Sequence, residues 1–225
     1  FRSLRRKEAE INDLLTPEDN LIHARKVAVV PRDPTDPAWE RLDSARIPLN
    51  PLWPEPSAAS AVAVTAVHDG TRVGILCTWR DTTVNGGPVR VQDFQDGLAL
   101  QFSLKGTFAF LGMGDRENPV NIWFWRAGWQ QETDGRKWDV ENQYASMHVD
   151  FYFNTNRLYR TAEAAGNVIA QPHGSSVEDA NARGFGTLKS QPIGQQNVEG
   201  KAVWRDDHWS VVVTRLIQSP DADDV

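Results

Sequence analysis

The sequence predicts a mainly β fold, an antiparallel β-sandwich with long loops and few short helices. Several segments alternate apolar and polar residues at strand spacing, and residues typical of turns separate them. Few windows show helical periodicity, and 13 prolines interrupt the chain. Short strands joined by turns are typical of a sandwich. The 225 residues fit a single domain.

The first part of the chain predicts an arm followed by irregular crossings. Residues 1–23 are rich in charge and carry apolar residues at helical spacing, so we interpret them as an N-terminal arm or short helix. Residues 26–30 are β-like. Three prolines over 31–37 and four over 48–57 exclude regular structure and indicate extended, turn-rich connections.

Two hairpins and several single strands follow. Asp69-Gly70 between two apolar segments predicts the turn of one hairpin, and Asp206-Asp207 predicts the turn of a closing hairpin. Residues 171–197 are rich in Gly, Ser, Gln and Asn and predict a long loop. The predicted strands are 61–67, 72–79, 97–104, 120–127, 147–153, 198–204 and 209–216.

These elements form one predicted domain over residues 24–217, followed by an acidic C-terminal tail at 218–225. The chain contains no run of about 18 apolar residues, so we expect no membrane span. It begins with Phe1 and not with Met, which indicates that the chain is trimmed and that any targeting segment is absent from it.

Composition excludes several classes of function. The chain has 24 Lys and Arg against 30 Asp and Glu, a balance that argues against a nucleic-acid partner. Its single cysteine, Cys77, cannot form an internal disulfide, hold an iron–sulfur cluster or attach a c-type haem. Cys77 stands inside a predicted strand, where we expect a buried apolar role.

Residues suited to hydrolysis or zinc binding do not form the expected patterns. The sequence has no Gly-x-Ser-x-Gly run and no glycine-rich phosphate loop. Its five histidines show no paired spacing, which argues against a zinc site, and we expect His68 and His208 to face solvent in turns.

A methionine between two glycines is the most distinctive candidate. Gly112 and Gly114 allow close backbone approach around Met113 and leave its side chain room to project. A thioether held in this way can be an axial ligand of haem iron, and the alternative is a flexible gap-filler in a core. Trp123 and Trp125 share one strand face and either wall a flat cofactor or belong to the core.

A six-coordinate haem needs a second ligand, for which a histidine, the other methionine or a lysine would serve. A lysine ligates only when it is neutral, so its site must lower its pKa. Lys189 and Lys201 are the candidates, and the alternative for each is an ordinary surface charge.

Several motifs together resemble one family. They are Asp33-Pro-Thr-Asp-Pro-Ala-Trp39, Asp96-Gly-Leu-Ala-Leu-Gln-Phe102, Met113-Gly-Asp115 with Pro119-Val-Asn-Ile-Trp-Phe-Trp125, Gly184-Phe-Gly-Thr-Leu188, and Gly200-Lys-Ala-Val-Trp204 before Trp209 and Arg215. In this order they resemble the haem b-binding gamma subunits of periplasmic molybdenum enzymes of the dimethyl sulfoxide reductase superfamily. That group includes the gamma subunits of ethylbenzene and dimethyl sulfide dehydrogenases, of selenate and chlorate reductases, and of related nitrite and nitrate enzymes.

The resemblance implies one non-covalent haem b with Met and Lys axial ligands. Met113 matches the methionine position, with Gly112 and Gly114 beside it. Lys201 is preferred for the lysine because it lies in a matching strand motif, and Lys189 is kept as the alternative. Trp123 and Trp125 become candidate pocket walls. Candidate partners for the haem propionates are Arg126, Arg183 and Arg215.

The function that this resemblance implies is electron transfer without substrate chemistry. We expect a molybdenum catalytic alpha subunit and an iron–sulfur beta subunit as partners, with a soluble periplasmic cytochrome or similar protein as donor or acceptor. An exported, periplasmic location is therefore expected. The alternative is a secreted carbohydrate-binding β-sandwich without a cofactor, in which Trp129 and Trp138 stack on sugars.

Overall fold

The computed structural model describes residues 21–52, 58–87, 90–106, 108–136, 144, 146–147 and 161–225. Over these residues the protein is mainly β, with two sheets that share a core and two short helices, so the predicted fold class is confirmed. The predicted N-terminal arm and nearly all of the predicted strand 147–153 lie outside the described residues.

Sheet A has six strands and sheet B has four. The order in sheet A is β1-β3-β4-β10-β9, with β2 also paired to β3, and the order in sheet B is β5-β6-β7-β8. Every pair is antiparallel except β1 with β3. Sheet A comprises β1 (Arg25–Lys26), β2 (Ala45–Pro48), β3 (Ala61–His68), β4 (Arg72–Arg80), β9 (Glu199–Arg205) and β10 (His208–Leu216). Sheet B comprises β5 (Gly97–Ser103), β6 (Val120–Arg126), β7 (Val177–Ala182) and β8 (Lys189–Ser190).

Helices are short in the described part of the chain. The two α-helices are α1 (Ala127–Thr133), which follows β6 directly, and α2 (Thr161–Ala164). Single 3-10 turns occur at Trp39–Arg41, Val168–Ala170 and Ile193–Gln195. None of the described helices is long and apolar enough to cross a membrane.

Both predicted hairpins are confirmed, and local turn chemistry explains them. The β3–β4 turn has Gly70 at a φ of 94°, while Asp69 accepts backbone hydrogen bonds from Thr71 and Arg72. The β9–β10 turn has Asp206 and Asp207 at φ of 51° and 59°, the positive values that a two-residue hairpin turn of the I′ type requires.

Tryptophans fill the space between the two sheets. Trp123 and Trp125 of β6 face Trp209, Val211 and Val213 of β10, and all five are buried. The ring centroids of Trp125 and Trp209 are 5.0 Å apart in an edge arrangement. Seven of the nine tryptophans lie in the described residues, and because none of these seven is exposed they serve mainly the core.

The proline-rich crossing covers the outer face of sheet A. Trp39 packs with Val30, Val67 and Val212, and its indole N–H donates to the carbonyl of Asp33 at 3.0 Å. The prediction that this segment is extended and turn-rich is therefore confirmed apart from one 3-10 turn.

The prediction of one long loop over 171–197 is wrong, because this segment contains β7 and β8. Strand β7 carries polar residues at buried positions, so its binary pattern does not resemble a strand. Asp179 accepts a hydrogen bond from the Asn121 side chain, and Glu178 forms a buried ion pair with Arg126. Side chains of β6 thus supply hydrogen-bond and ion-pair partners for the buried polar residues of β7, whose polar sequence does not resemble a strand.

Candidate functional site

Met113 is held in a strained backbone conformation. Its φ is 71°, and the next residue, Gly114, has a φ of 67°. A non-glycine residue in this region is uncommon and persists only where the surroundings impose it. Here the Met113 N–H donates to the side chain of Gln101 at 3.2 Å, and the Met113 carbonyl accepts from the N–H of Gly184 at 2.8 Å. The fold therefore fixes this turn from two sides.

Both flanking glycines lie in close contacts, and at Gly114 the contact is with backbone. A Cβ on Gly112 would lie 2.4 Å from the Phe110 ring and 2.6 Å from the Phe185 ring. A Cβ on Gly114 would lie 2.6 Å from the backbone carbonyl oxygen of Asn118. The backbone is thus closely packed at both glycines, and their role beside a cofactor stays a prediction.

We expect Gly114→Ala to destabilise the protein by about 2–4 kcal/mol, since it adds a backbone clash to a strained φ. Gly106→Ala is the matched control, because Gly106 has a φ of 63° but no heavy atom within 4 Å of its added Cβ. Urea unfolding of both variants measures the difference. Equal losses in the two variants would show that the contact with Asn118 is unimportant.

The Met113 side chain packs on the outer face of sheet B. It lies against Ala109, Val120, Ile122 and Ala182 and is itself partly buried. Two loops meet at this site: the Met113 loop between β5 and β6, and the loop between β7 and β8. Large apolar side chains on both loops are left exposed. They are Phe108 (66% exposed), Leu111 (66%), Phe185 (60%) and Leu188 (40%). We call these four residues the apolar rim.

The structure separates Trp123 and Trp125 from Met113. Successive residues of a strand point to opposite faces, and both tryptophans point between the sheets while Val120 and Ile122 point outward with Met113. Trp123 donates its indole N–H to Asn121 at 2.7 Å. Their surroundings are those of core residues.

Lys201 lies in β9 of sheet A, where its side chain is ion-paired with Asp33. Its ammonium donates to Asp33 at 2.5 Å across the outer face of sheet A. That hydrogen bond raises the pKa of Lys201 and lowers the pKa of Asp33 to about 2. An iron-ligating lysine needs the opposite shift.

Lys189 follows the loop that contacts Met113. It begins β8, five residues after Gly184, whose N–H binds the Met113 carbonyl. Lys189, however, is the register partner of Asn181, which lies on the inner face of sheet B. Met113 lies on the outer face. The structure therefore places neither lysine beside the Met113 thioether.

The three candidate arginines differ in burial and in ion pairing. Arg126 is ion-paired with the buried Glu178, and Arg215 is 3% exposed and lies 3.5 Å from Asp224. Arg183 is exposed in the loop that contacts Met113 and has no ion pair within the described ranges. Sequence reasoning missed Arg116, a second exposed cation in the Met113 loop.

The remaining sequence-based candidates have ordinary structural roles. Cys77 is 1% exposed, and burial raises the pKa of its thiol to about 12, so the predicted apolar role is confirmed. His208 is exposed as predicted, whereas His68 is only partly so. The described residues contain no cluster of three or more His, Cys, Asp or Glu side chains able to hold a metal ion.

Trp129 does not offer an open face to a sugar. It is 7% exposed, and the ring of His173 stacks on it with a centroid distance of 3.6 Å. Trp138 lies outside the described residues. The predicted sugar-stacking role of Trp129 is therefore wrong.

The residues around Met113 suit a haem. They offer a soft sulfur donor on a fixed backbone, an apolar rim able to cover a porphyrin face, and exposed guanidinium groups at Arg116 and Arg183 for carboxylates. The chemistry of this donor set matches haem better than a hard metal ion, which prefers oxygen ligands.

Comparison with known proteins agrees with the sequence motifs. The family model described as ethylbenzene dehydrogenase matches residues 36–225. Chlorate reductase subunit gamma of Ideonella dechloratans is 28% identical over 183 residues, which cover 77% of this chain and 73% of that protein. A protein of Haloferax mediterranei named as a respiratory nitrate reductase heme subunit is 29% identical over 108 residues, 45% of this chain and 39% of that protein. The chain therefore belongs to the ethylbenzene dehydrogenase family.

Proposed function

We propose that this chain is the haem-binding gamma subunit of a molybdoenzyme complex and that it transfers electrons without acting on a substrate. One non-covalent haem b is bound at the Met113 loop. The iron–sulfur beta subunit of the complex exchanges electrons with it, and a periplasmic protein is the outer donor or acceptor. The names of the two relatives, a reductase gamma subunit and a heme subunit, support this assignment.

The observation that carries the proposal is the left-handed backbone of Met113, which lies between two closely packed glycines. A core gap-filler needs no strained backbone, because methionine adapts its three side-chain torsions to the available space. Here the Gln101 side chain and the N–H of Gly184 fix the backbone of Met113. Such strain is concentrated at ligand-binding sites.

A bound haem supplies one-electron exchange at its iron. The chain's residues then position and tune it. Met113 offers a neutral sulfur, which favours the reduced iron and raises the potential. The apolar rim excludes water from one side of the ring, and Arg116 and Arg183 are the proposed partners of the propionates.

The cofactor is tested by loading the purified chain with haem b. We expect one equivalent to bind with a red-shifted Soret band and, after reduction, sharp low-spin bands. Acid–acetone extraction should remove all of the haem, because Cys77 alone cannot supply a thioether pair. Failure to bind haem, or haem that resists extraction, would overturn the proposal.

The second axial ligand is tested with the two lysines. We expect Lys201→Ala to keep the low-spin spectrum and to change stability by only about 0–1 kcal/mol, because its ion pair with Asp33 is exposed. Loss of the low-spin spectrum in Lys189→Ala would identify Lys189 as the ligand. A low-spin spectrum in both variants would place the ligand at another residue.

A further inference from the structure

A glutamine of β5 binds the Met113 turn at two points. The side-chain amide of Gln101 donates from Nε2 to the carbonyl of Phe110 at 3.1 Å and accepts at Oε1 from the N–H of Met113 at 3.2 Å. The same Phe110 carbonyl accepts from the N–H of Gly114 at 2.7 Å, which closes the turn. One side chain therefore bridges the first residue of the turn and the residue with the strained φ.

The place of Gln101 in sheet B is an apolar one. Its partner in the β5–β6 register is Ile122, and the partner of Ile122 in β7 is Ala180. Both partners are buried, and Ile122 belongs to the cluster on which Met113 packs. Neither partner has a polar side-chain atom, yet the amide of a partly buried glutamine needs hydrogen-bond partners. The Met113 turn supplies an acceptor and a donor for it.

The two hydrogen bonds act on a strained backbone. Met113 has a φ of 71°, a conformation that persists only where the surroundings impose it. The loop between β7 and β8 holds the carbonyl side of this residue through the N–H of Gly184. Gln101 holds the amide side. Removing the Gln101 side chain would therefore leave Met113 held at its carbonyl side alone.

Strand β5 is a rigid base for this contact. Just before the strand, Asp96 accepts from the indole N–H of Trp209 at 3.0 Å and from the N–H of Asn85 at 2.8 Å. The strand then pairs with β6 from Gly97 to Ser103. Because strands hold a site more precisely than loops do, the Met113 loop gains its position from the sheet through Gln101.

We propose that Gln101 is a positioning residue for the Met113 thioether. It acts through the backbone of Met113 and does not touch the haem iron. By holding the amide side of a left-handed residue, it sets the direction in which the side chain leaves the backbone. The inference rests on the proposed function, and it assigns the strength of the bond between iron and the Met113 sulfur to a side chain 12 positions earlier.

Three variants test the role of the Gln101 side chain. Gln101→Leu keeps the size and removes both hydrogen bonds. Gln101→Glu keeps, in either protonation state, an oxygen that accepts from the Met113 N–H. Gln95→Leu is the matched control, because Gln95 is also partly buried and accepts from the backbone N–H of Gly128 at 3.0 Å, in α1.

The first measurement needs no haem. Amide hydrogen exchange of the purified chain, followed by NMR, reports whether the Met113 N–H is bonded. We expect Gln101→Leu to exchange this proton about tenfold faster than wild type. Gln101→Glu should exchange it more slowly than Gln101→Leu does, and Gln95→Leu should match wild type.

The second measurement uses the chain loaded with haem b. We expect Gln101→Leu to bind haem about 10- to 100-fold more weakly, the loss typical when a group that supports a metal ligand is removed. Its ferric spectrum should gain a high-spin fraction, because a displaced thioether leaves the iron. A role in folding alone would not change the spin state. Gln95→Leu should keep the wild-type affinity and spectrum.

Wild-type exchange at Met113 in Gln101→Leu would overturn the inference, as would wild-type haem affinity and spectrum in that variant. Equal losses in Gln101→Leu and Gln95→Leu would overturn it too. The proposed function survives these results if wild type binds haem and Met113→Ala loses the low-spin spectrum. A wild-type chain that binds no haem, or a spectrum that survives Met113→Ala, overturns both. If Gln101→Leu does not fold, Gln101→Ser replaces it, because serine is too short for either bond and leaves room for water.

Discussion

Met113→Ala is expected to abolish the low-spin haem spectrum and to weaken haem binding by more than about tenfold. Losing a group that merely supports a metal ligand costs about 10- to 100-fold in affinity, so losing the ligand itself should cost no less. The apoprotein should remain folded, because the Met113 side chain is only partly buried and the backbone anchors at Gln101 and Gly184 remain.

Met147→Ala is the matched control for this experiment. Met147 is the other methionine of the chain and is 50% exposed. We expect its removal to leave the spectrum unchanged. An unchanged spectrum in Met113→Ala would reject Met113 as a ligand, whatever the affinity of the remaining site for haem.

Asp179→Asn is expected to remove a loss of stability that the wild-type protein shows as pH rises from about 4 to 7. Burial raises the pKa of Asp179 to about 7 from 3.8. The hydrogen bond from Asn121 opposes that rise in part, the neighbouring Asp224 and Asp221 add to it, and Arg215 opposes it. The Oδ2 atom of Asp179 has no hydrogen-bond partner in the structure.

The sign follows from the proton balance. Between about pH 4 and 7 the folded protein keeps a proton on Asp179 that the unfolded chain has released, so the free energy of unfolding falls as pH rises. A difference of about three pKa units corresponds to about 4 kcal/mol over this window, and the effect is constant above it. Asparagine keeps an acceptor for Asn121 without the charge.

Urea unfolding of wild type and Asp179→Asn from pH 4 to pH 8 measures the effect. The variant should gain stability relative to wild type as pH rises and should be the more stable protein at pH 8. Asp207→Asn, at an exposed hairpin turn, is the control for the same substitution away from the core. A pH-independent difference for Asp179→Asn would contradict the assignment of a neutral buried carboxyl.

The hairpins and the core strands were predictable because local residues determine them. Turn residues at Asp69-Gly70 and Asp206-Asp207 specify the backbone at each reversal, and the apolar alternation of β5 specifies which of its faces packs on the core. Strand β7 was not predictable in this way. Its polar residues are compensated by Asn121 and Arg126, more than 50 positions earlier in the sequence.

The candidate site was predictable only in part, for a similar reason. The Gly-Met-Gly pattern indicated Met113, but the anchors that hold its backbone come from β5 and from the loop after β7. The engagement of Lys201 by Asp33 joins residues that are 168 positions apart. The stacking of His173 on Trp129 likewise joins segments that are far apart in the sequence, so no local pattern indicated it.

The most direct test of the haem proposal is X-ray absorption at the iron edge of selenomethionine-labelled protein loaded with haem b. The chain has two methionines, so Met147→Leu leaves Met113 as its only selenium site. We predict an iron–selenium scattering path at bonding distance in this variant. A spectrum described by nitrogen and oxygen ligands alone would contradict ligation by Met113.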